Sequence, residues 1–208
     1  MFAQPKRPAA RLTLRTHRHD QLSYPALSDV VLAVRAKDGD QHALEALVER
    51  HEPGVRRLSG YLLTDPQDAE DAAQEALAKL CTRIHQFRGE AQFTTWLHSL
   101  VSNTCRDLGA RQRRRQHQTL EPAHLGVGGD EPADLALERD QRRSLRAGLA
   151  ALSGDQRHVM VMKDVLSLSY EEIAGALEMP VGTVKCHAHR GRQRMRKALL
   201  PLRQAAGG

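Results

Sequence analysis

The chain has 208 residues, of which 40% are hydrophobic and 27% charged, with 31 Lys and Arg against 25 Asp and Glu for a formal net charge of +6. That apolar content suffices for one large or two small folded units, and no uninterrupted apolar stretch approaches the length of a membrane span, so no membrane insertion is expected. Three widely spaced cysteines, Cys81, Cys105 and Cys186, argue against a disulfide scaffold and for a reducing, cytoplasmic setting, while the basic balance is compatible with a polyanionic partner.

Residues 1–27 are rich in Arg, carry Asp20 as their one acid and show no apolar period, which predicts a disordered basic N-terminal extension without a secretory signal. Helical periodicity begins near Asp29, with Val30, Val31 and Val34 as its apolar stripe. Asp38-Gly39-Asp40 predicts a stop and a fresh start, Gly39 suiting the left-handed position and Asp40 a cap. Leu44, Leu47, Val48, Val55 and Leu58 carry the next apolar face, which Pro53 should kink. Thr64-Asp65-Pro66 restarts the chain, with Asp65 as N-cap and Pro66 in the first turn.

The helix that follows divides in two. Ala69, Ala73, Ala76, Leu80 and Ile84 are candidate core, while Asp68, Asp71 and Glu75 recur at helical spacing elsewhere, with Gln74 beside them and Lys79 one turn on. Phe87 to Phe93 contains Gly89 and reads as a loop, yet it holds two of the three phenylalanines, with Trp96 close behind. Packing is the default reason for such rings; a platform for an unstacked base is the alternative. A further helix over about 94–115 has Trp96, Leu97, Leu100, Val101 and Leu108 on its apolar side. It ends in Arg106, Arg111, Arg113, Arg114 and Arg115. An acidic stripe repels DNA and an arginine cluster attracts it, so the two surfaces should meet different partners.

Between 116 and 132 the periodicity disappears among Gly and Pro, which predicts a flexible linker. The second unit opens with a helix over about 133–152. Ser153 with Gln156 and Ser169 with Glu172 are capping boxes for the two helices after it. Tyr170, Ile173, Ala174 and Leu177, then the break at Glu178-Met179-Pro180, then Val184, Ala188, Gly191 and Met195 outline a helix-turn-helix whose second helix is basic on one side. Side chains at the start of such a helix reach base edges in the major groove, and a helix start with Gly182 lets backbone N–H groups approach a phosphate. The fold class expected is all-α: two helical domains joined by a flexible linker, the second a three- or four-helix domain containing the helix-turn-helix.

Three collinear segments resemble sigma factors of the extracytoplasmic-function type in the sigma-70 family. Asp68-Ala69-Glu70-Asp71 with Gln74-Glu75 is similar to the family's second-region helix. Phe87-Arg88-Gly89-Glu90 with Phe93 and Thr95-Trp96-Leu97 is similar to its promoter-opening segment. Ser169-Tyr170-Glu171-Glu172-Ile173-Ala174 with Pro180-Val181-Gly182-Thr183-Val184-Lys185 is similar to its fourth-region helix-turn-helix. The resemblance spans roughly 28–203. It implies region 2 over 28–115 and region 4 over 133–203.

The resemblance also implies roles. Asp68, Asp71, Gln74 and Glu75 would meet the clamp helices of core RNA polymerase. Lys79, Phe87, Arg88 and Asn103 would meet the minus-10 element of promoter DNA. Lys163, Gly182, Thr183, Lys185, Cys186, His187, His189, Arg190 and Arg192 would meet the minus-35 element. The beta flap of polymerase and an anti-sigma protein join the expected partners, no cofactor is expected, and catalysis would belong to the polymerase. Cys186-His187 stands where family members often have Ser-Arg, which bears on minus-35 preference.

Two other readings were open to the residues. A stand-alone helix-turn-helix regulator would explain the second unit alone. A metal site would draw on Cys81 with His85, or on Cys186 with His187 and His189, neither of which reaches a four-ligand pattern.

Overall fold

The computed structural model describes residues 23–116 and 144–205, and every regular element among them is helical. The first unit comprises α1 (Asp29–Lys37), α2 (Gln41–Leu62), α3 (Pro66–Arg83) and α4 (Phe93–Gln116). The second comprises a helical segment over 144–150 (α5), then α6 (Gly154–Met160), α7 (Tyr170–Leu177) and α8 (Val181–Ala205). The expected linker beyond Gln116, the first part of the helix expected from 133, and residues 1–22 of the basic extension lie outside the described residues.

Local chemistry sets the boundaries. Gly39 takes φ +92° between α1 and α2, and the Asp40 side chain accepts from the Ala43 amide at 3.1 Å. Asp65 Oδ1 accepts from the amides of Gln67 and Asp68 at 2.9 and 3.0 Å, satisfying two N–H groups that the first turn of α3 leaves free. Both capping boxes form: Ser153 with Gln156 opens α6, and Ser169 with Glu172 opens α7. Each such cap stabilises its helix by about 1 kcal/mol. Glu178, at φ +52°, turns the chain out of α7.

The first core follows the expected face of α3. Ala69, Ala73, Ala76, Leu80 and Ile84 are all buried, and the small side chains let α2 and α4 approach closely. Leu47, Val55, Leu58 and Leu62 come from α2, with Leu97, Val101 and Cys105 from α4. α2 is continuous through Pro53. Burial pushes the Cys105 thiol up to about 11, so it packs as a small apolar group.

Three expectations need correction. Val30, Val31 and Val34 are 51%, 41% and 53% exposed, and α1 buries Leu32, Ala33 and Ala36 instead. The nine-residue helix is apolar nearly all round, so its period does not identify the inner face. Packing also begins before residue 28: Tyr24–Ala26 forms a 3-10 turn, the Tyr24 hydroxyl donates to Asp40 Oδ2 at 3.1 Å, and Arg50 Nη2 donates to the Pro25 carbonyl at 2.9 Å. Finally, α6 widens into a π-helical turn over Val161–Val165, which rotates Val165 outward to 41% exposure while Met162 stays inside.

The two units touch. Leu149, Leu152, Met160 and Val161 share one buried cluster with the first unit, whereas Val159, Met162, Ile173, Leu177, Val184 and Ala188 build the second unit's own core. Arg157 is 8% exposed and donates to the carbonyls of Leu149, Leu152 and, across the junction, Leu62. Arg106 of α4 donates to the Leu177 carbonyl at the end of α7.

Candidate nucleic-acid and partner interfaces

The helix-turn-helix is built from α7, the turn at Glu178–Pro180, and α8. Val184, Ala188 and Gly191 turn inward. Gly191 is required by close approach, since a Cβ there would lie 2.7 Å from Met160 Cγ. Gly182, Thr183, Lys185, Cys186, His189, Arg190 and Arg192 are exposed on the outer side, and His187 is half-buried with Nδ1 unpartnered. The space around Gly182 is open, leaving its backbone accessible. Lys163 comes from the π-helical turn and not from α8, and its Nζ donates to the Leu168 carbonyl at 2.9 Å. Arg192 is ion-paired to Asp164 at 2.8 Å, and that pairing holds the guanidinium well above its ordinary range.

On α3 the four acidic-stripe candidates are not equivalent. Asp71 and Gln74 are exposed; Asp71 accepts from Gln67 at 3.2 Å, and Gln74 donates to Glu70 at 2.9 Å. Asp68 is half-buried and accepts from Gln112 of α4 at 2.8 Å; burial, then the nearby Asp65 charge, raises its carboxyl above the usual range. Glu75 is paired with Lys79 at 2.7 Å, which lowers the Glu75 carboxyl. Lys79 also donates to Thr104 Oγ1 at 3.1 Å. Lys79 and Glu75, which the resemblance sends to different partners, therefore hold each other. Glu70 adds to the acidic face but is neutralised by Arg56.

The Phe87 loop is anchored by its rings. Phe87 and Phe93 are 3% and 2% exposed, their centroids 5.5 Å apart at 87°, and Trp96 lies 5.7 Å from Phe87 and 5.8 Å from Phe93. Lys37 Nζ donates to the Phe87 carbonyl at 2.8 Å, tying α1 to the same corner. Arg88 to Gln92 are exposed, with Gly89 at φ +78°. The exposed part of the loop is this tip, with half-buried Trp96 beside it, while the Phe87 ring serves packing. Asn103 is half-buried on α4, away from the loop in sequence.

Among the described residues, no group of three or more His, Cys, Asp or Glu is placed to hold a metal ion. Nor is any helix among them long and apolar enough to cross a membrane. Residues that sequence reasoning missed are Asp164, Tyr170 and Lys37 as organisers. Tyr170 reads as part of an apolar face, and its contacts come from segments distant in sequence.

Comparison with known proteins gives a consistent result. Residues 47–115 match the family model for sigma-70 region 2, and residues 142–195 match that for sigma-70 region 4. The chain is 34% identical to the RNA polymerase sigma-H factor of Pseudomonas aeruginosa over 187 residues, covering 86% of this chain and 97% of that one. It is 32% identical to the ECF RNA polymerase sigma-E factor of Escherichia coli over 186 residues, covering 85% and 96%. Among solved structures, CnrH in complex with the cytosolic domain of CnrY matches with a TM-score of 0.57 and 23% identity over 84% of this chain and 97% of that one. The sigma factor RpoE from Bartonella quintana, in complex with the anti-sigma factor NepR, matches with a TM-score of 0.59 and 21% identity over 74% and 95%. At those identities the structural likeness speaks to the fold alone.

Proposed function

The chain belongs to the sigma-70 family, as a member of its extracytoplasmic-function type, and on that premise we propose which of its surfaces meets each partner. The protein joins core RNA polymerase and directs initiation at promoter DNA. Region 2 spans 28–115 with the Tyr24 turn added, and region 4 spans 133–203. Asp68, Asp71, Gln74 and Glu75 face the clamp helices, and region 4 also meets the beta flap. Arg88 and Asn103, with Lys79 once released from Glu75, face the minus-10 element beside the loop that Phe87 anchors. Lys163 and the outer side of α8, from Gly182 to Arg192, face the minus-35 element. The chain acts in the cytoplasm, contributes positioning and no bond-making chemistry of its own, and is a candidate for capture by an anti-sigma protein.

The observation that carries this reading is the separation of charge. The exposed outer side of α8 is basic, and the exposed acid Asp71 lies on α3 in the other unit. Run-off transcription with purified core polymerase and a promoter library tests it. Arg190→Ala should weaken minus-35 recognition by about 1–3 kcal/mol, the range for one base-reading side chain. Asp71→Lys should weaken polymerase binding, and adding Glu75→Lys should weaken it further. Asp71 is the cleaner probe, because reversing Glu75 also frees Lys79. Core enzyme plus this chain initiating no more selectively than core enzyme alone would refute the reading.

A further inference from the structure

One cluster of charge in region 4 draws on three segments of chain. Lys163 and Asp164 lie in the π-helical turn, Tyr170 opens α7, and Lys185 and Arg192 lie two turns apart along one side of α8. Tyr170 packs its half-buried ring against the region 4 core. Lys163 Nζ sits 5.0 Å from that ring's centroid and Lys185 Nζ 5.8 Å. Arg192 donates through Nη1 to the Tyr170 hydroxyl at 3.4 Å and through Nη2 to Asp164 Oδ1 at 2.8 Å. Three cations brought together repel one another. Here the electron-rich ring face, the phenol oxygen and one carboxylate hold them in place.

We propose that Tyr170 is a positioning residue for the minus-35 surface, and that Asp164 occupies Arg192 in place of a DNA phosphate until the promoter arrives. The inference rests on the assignment of Lys163, Lys185 and Arg192 to the minus-35 element. A carboxylate and a phosphate offer a guanidinium the same kind of forked, anionic acceptor, so one replaces the other without leaving Arg192 unpaired. The exchange is accessible, because the Arg192 and Asp164 side chains are 45% and 41% exposed. Tyr170 is anchored in the core and stays in place, keeping the three cations aimed while their anion changes. Asp164 thus weakens binding to any phosphate backbone slightly while it prevents Arg192 from wandering.

The test uses the full chain assembled with core polymerase and a promoter fragment selected by run-off transcription, with affinity measured across a salt series. Asp164→Asn should tighten binding about two- to fivefold, the scale of one exposed ion pair. In an Arg192→Gln background the same substitution should give no gain, because Arg192 is the group that Asp164 restrains. A gain of full size in that background is a general charge effect and overturns the exchange. Tyr170→Phe keeps the ring and should weaken binding less than Tyr170→Leu, which removes the seat of both lysines. If Tyr170→Leu lowers Tm but leaves the affinity and salt slope of the folded holoenzyme unchanged, Tyr170 only packs and the positioning role is refuted. Absence of any promoter-specific transcript from the wild-type chain strikes earlier, at the minus-35 assignment itself, and removes the DNA role of the cluster with it.

Discussion

His158 is 3% exposed, with Nδ1 2.8 Å from the Gly154 carbonyl and Nε2 facing no partner. Burial holds its pKa below the ordinary 6.5, and burial does the same to His98, aided by the charge of His51. Both rings therefore resist protonation more in the folded protein than in the unfolded chain, which takes up protons as pH drops through about 6.5. Stability should be full above that pH and decline below it, by at most about 1.4 kcal/mol per pH unit for each proton. Thermal melts from pH 7.5 to 5.5 should show falling Tm, and His158→Gln should flatten the profile in part, leaving the share due to His98. An unchanged slope in that variant would assign the pH response elsewhere. The sequence shows His158 only as one of eleven histidines. Its sensitivity arises from burial beside a cleft that residues of both units line, a juxtaposition of segments far apart in the chain. Phe87 illustrates the same limit: its ring was readable as important, but whether it packs or greets a base depended on where Phe93 and Trp96 turn.

Helix ends were the most legible elements, because a cap is settled within four residues. Asp40, Asp65, Ser153 and Ser169 all open helices as their side chains suggest. α3 was equally plain, since its alanines and its acids separate onto different faces. α1 was not, since a short helix with apolar residues all round offers its neighbours several faces, and packing against α2 selected Leu32 over the valines. The π-helical turn was also invisible, because one residue of slippage leaves no mark in composition. At this scale two glycines make opposite predictions. Gly191→Ala pushes a Cβ into the buried Met160 side chain and should destabilise region 4 by about 1–3 kcal/mol, outweighing the gain in helix propensity. Gly60→Ala, inside α2 with nothing within 4 Å of its new Cβ, should stabilise by up to about 1 kcal/mol. Chemical denaturation of both variants decides it; a stabilising Gly191→Ala would mean that Met160 gives way freely.

For the whole molecule, the division into two helical units with a recognition helix in the second was evident from the sequence, but their mutual contact was not. Periodicity reports which face of a helix is apolar and says nothing of which distant helix covers it. Arg157 is the clearest case: among charged residues on a helix it looks like a solvated side chain, yet it is buried and caps carbonyls from both sides of the junction. Burial lowers its pKa, and the nearby Arg113 adds to the effect. Arg157→Met fills the volume but leaves those carbonyls without their donor. It should uncouple the halves, so that calorimetry resolves two transitions where the wild type gives one. A single transition in the variant would mean that apolar packing alone joins them.

The sharing of one apolar cluster by residues on either side of 117–143 has a consequence for a severed chain. A protease site engineered into that stretch and then cut should yield two peptides that still travel as one particle through a sizing column. They should part only when detergent or denaturant wets the seam between Leu62 and Leu149.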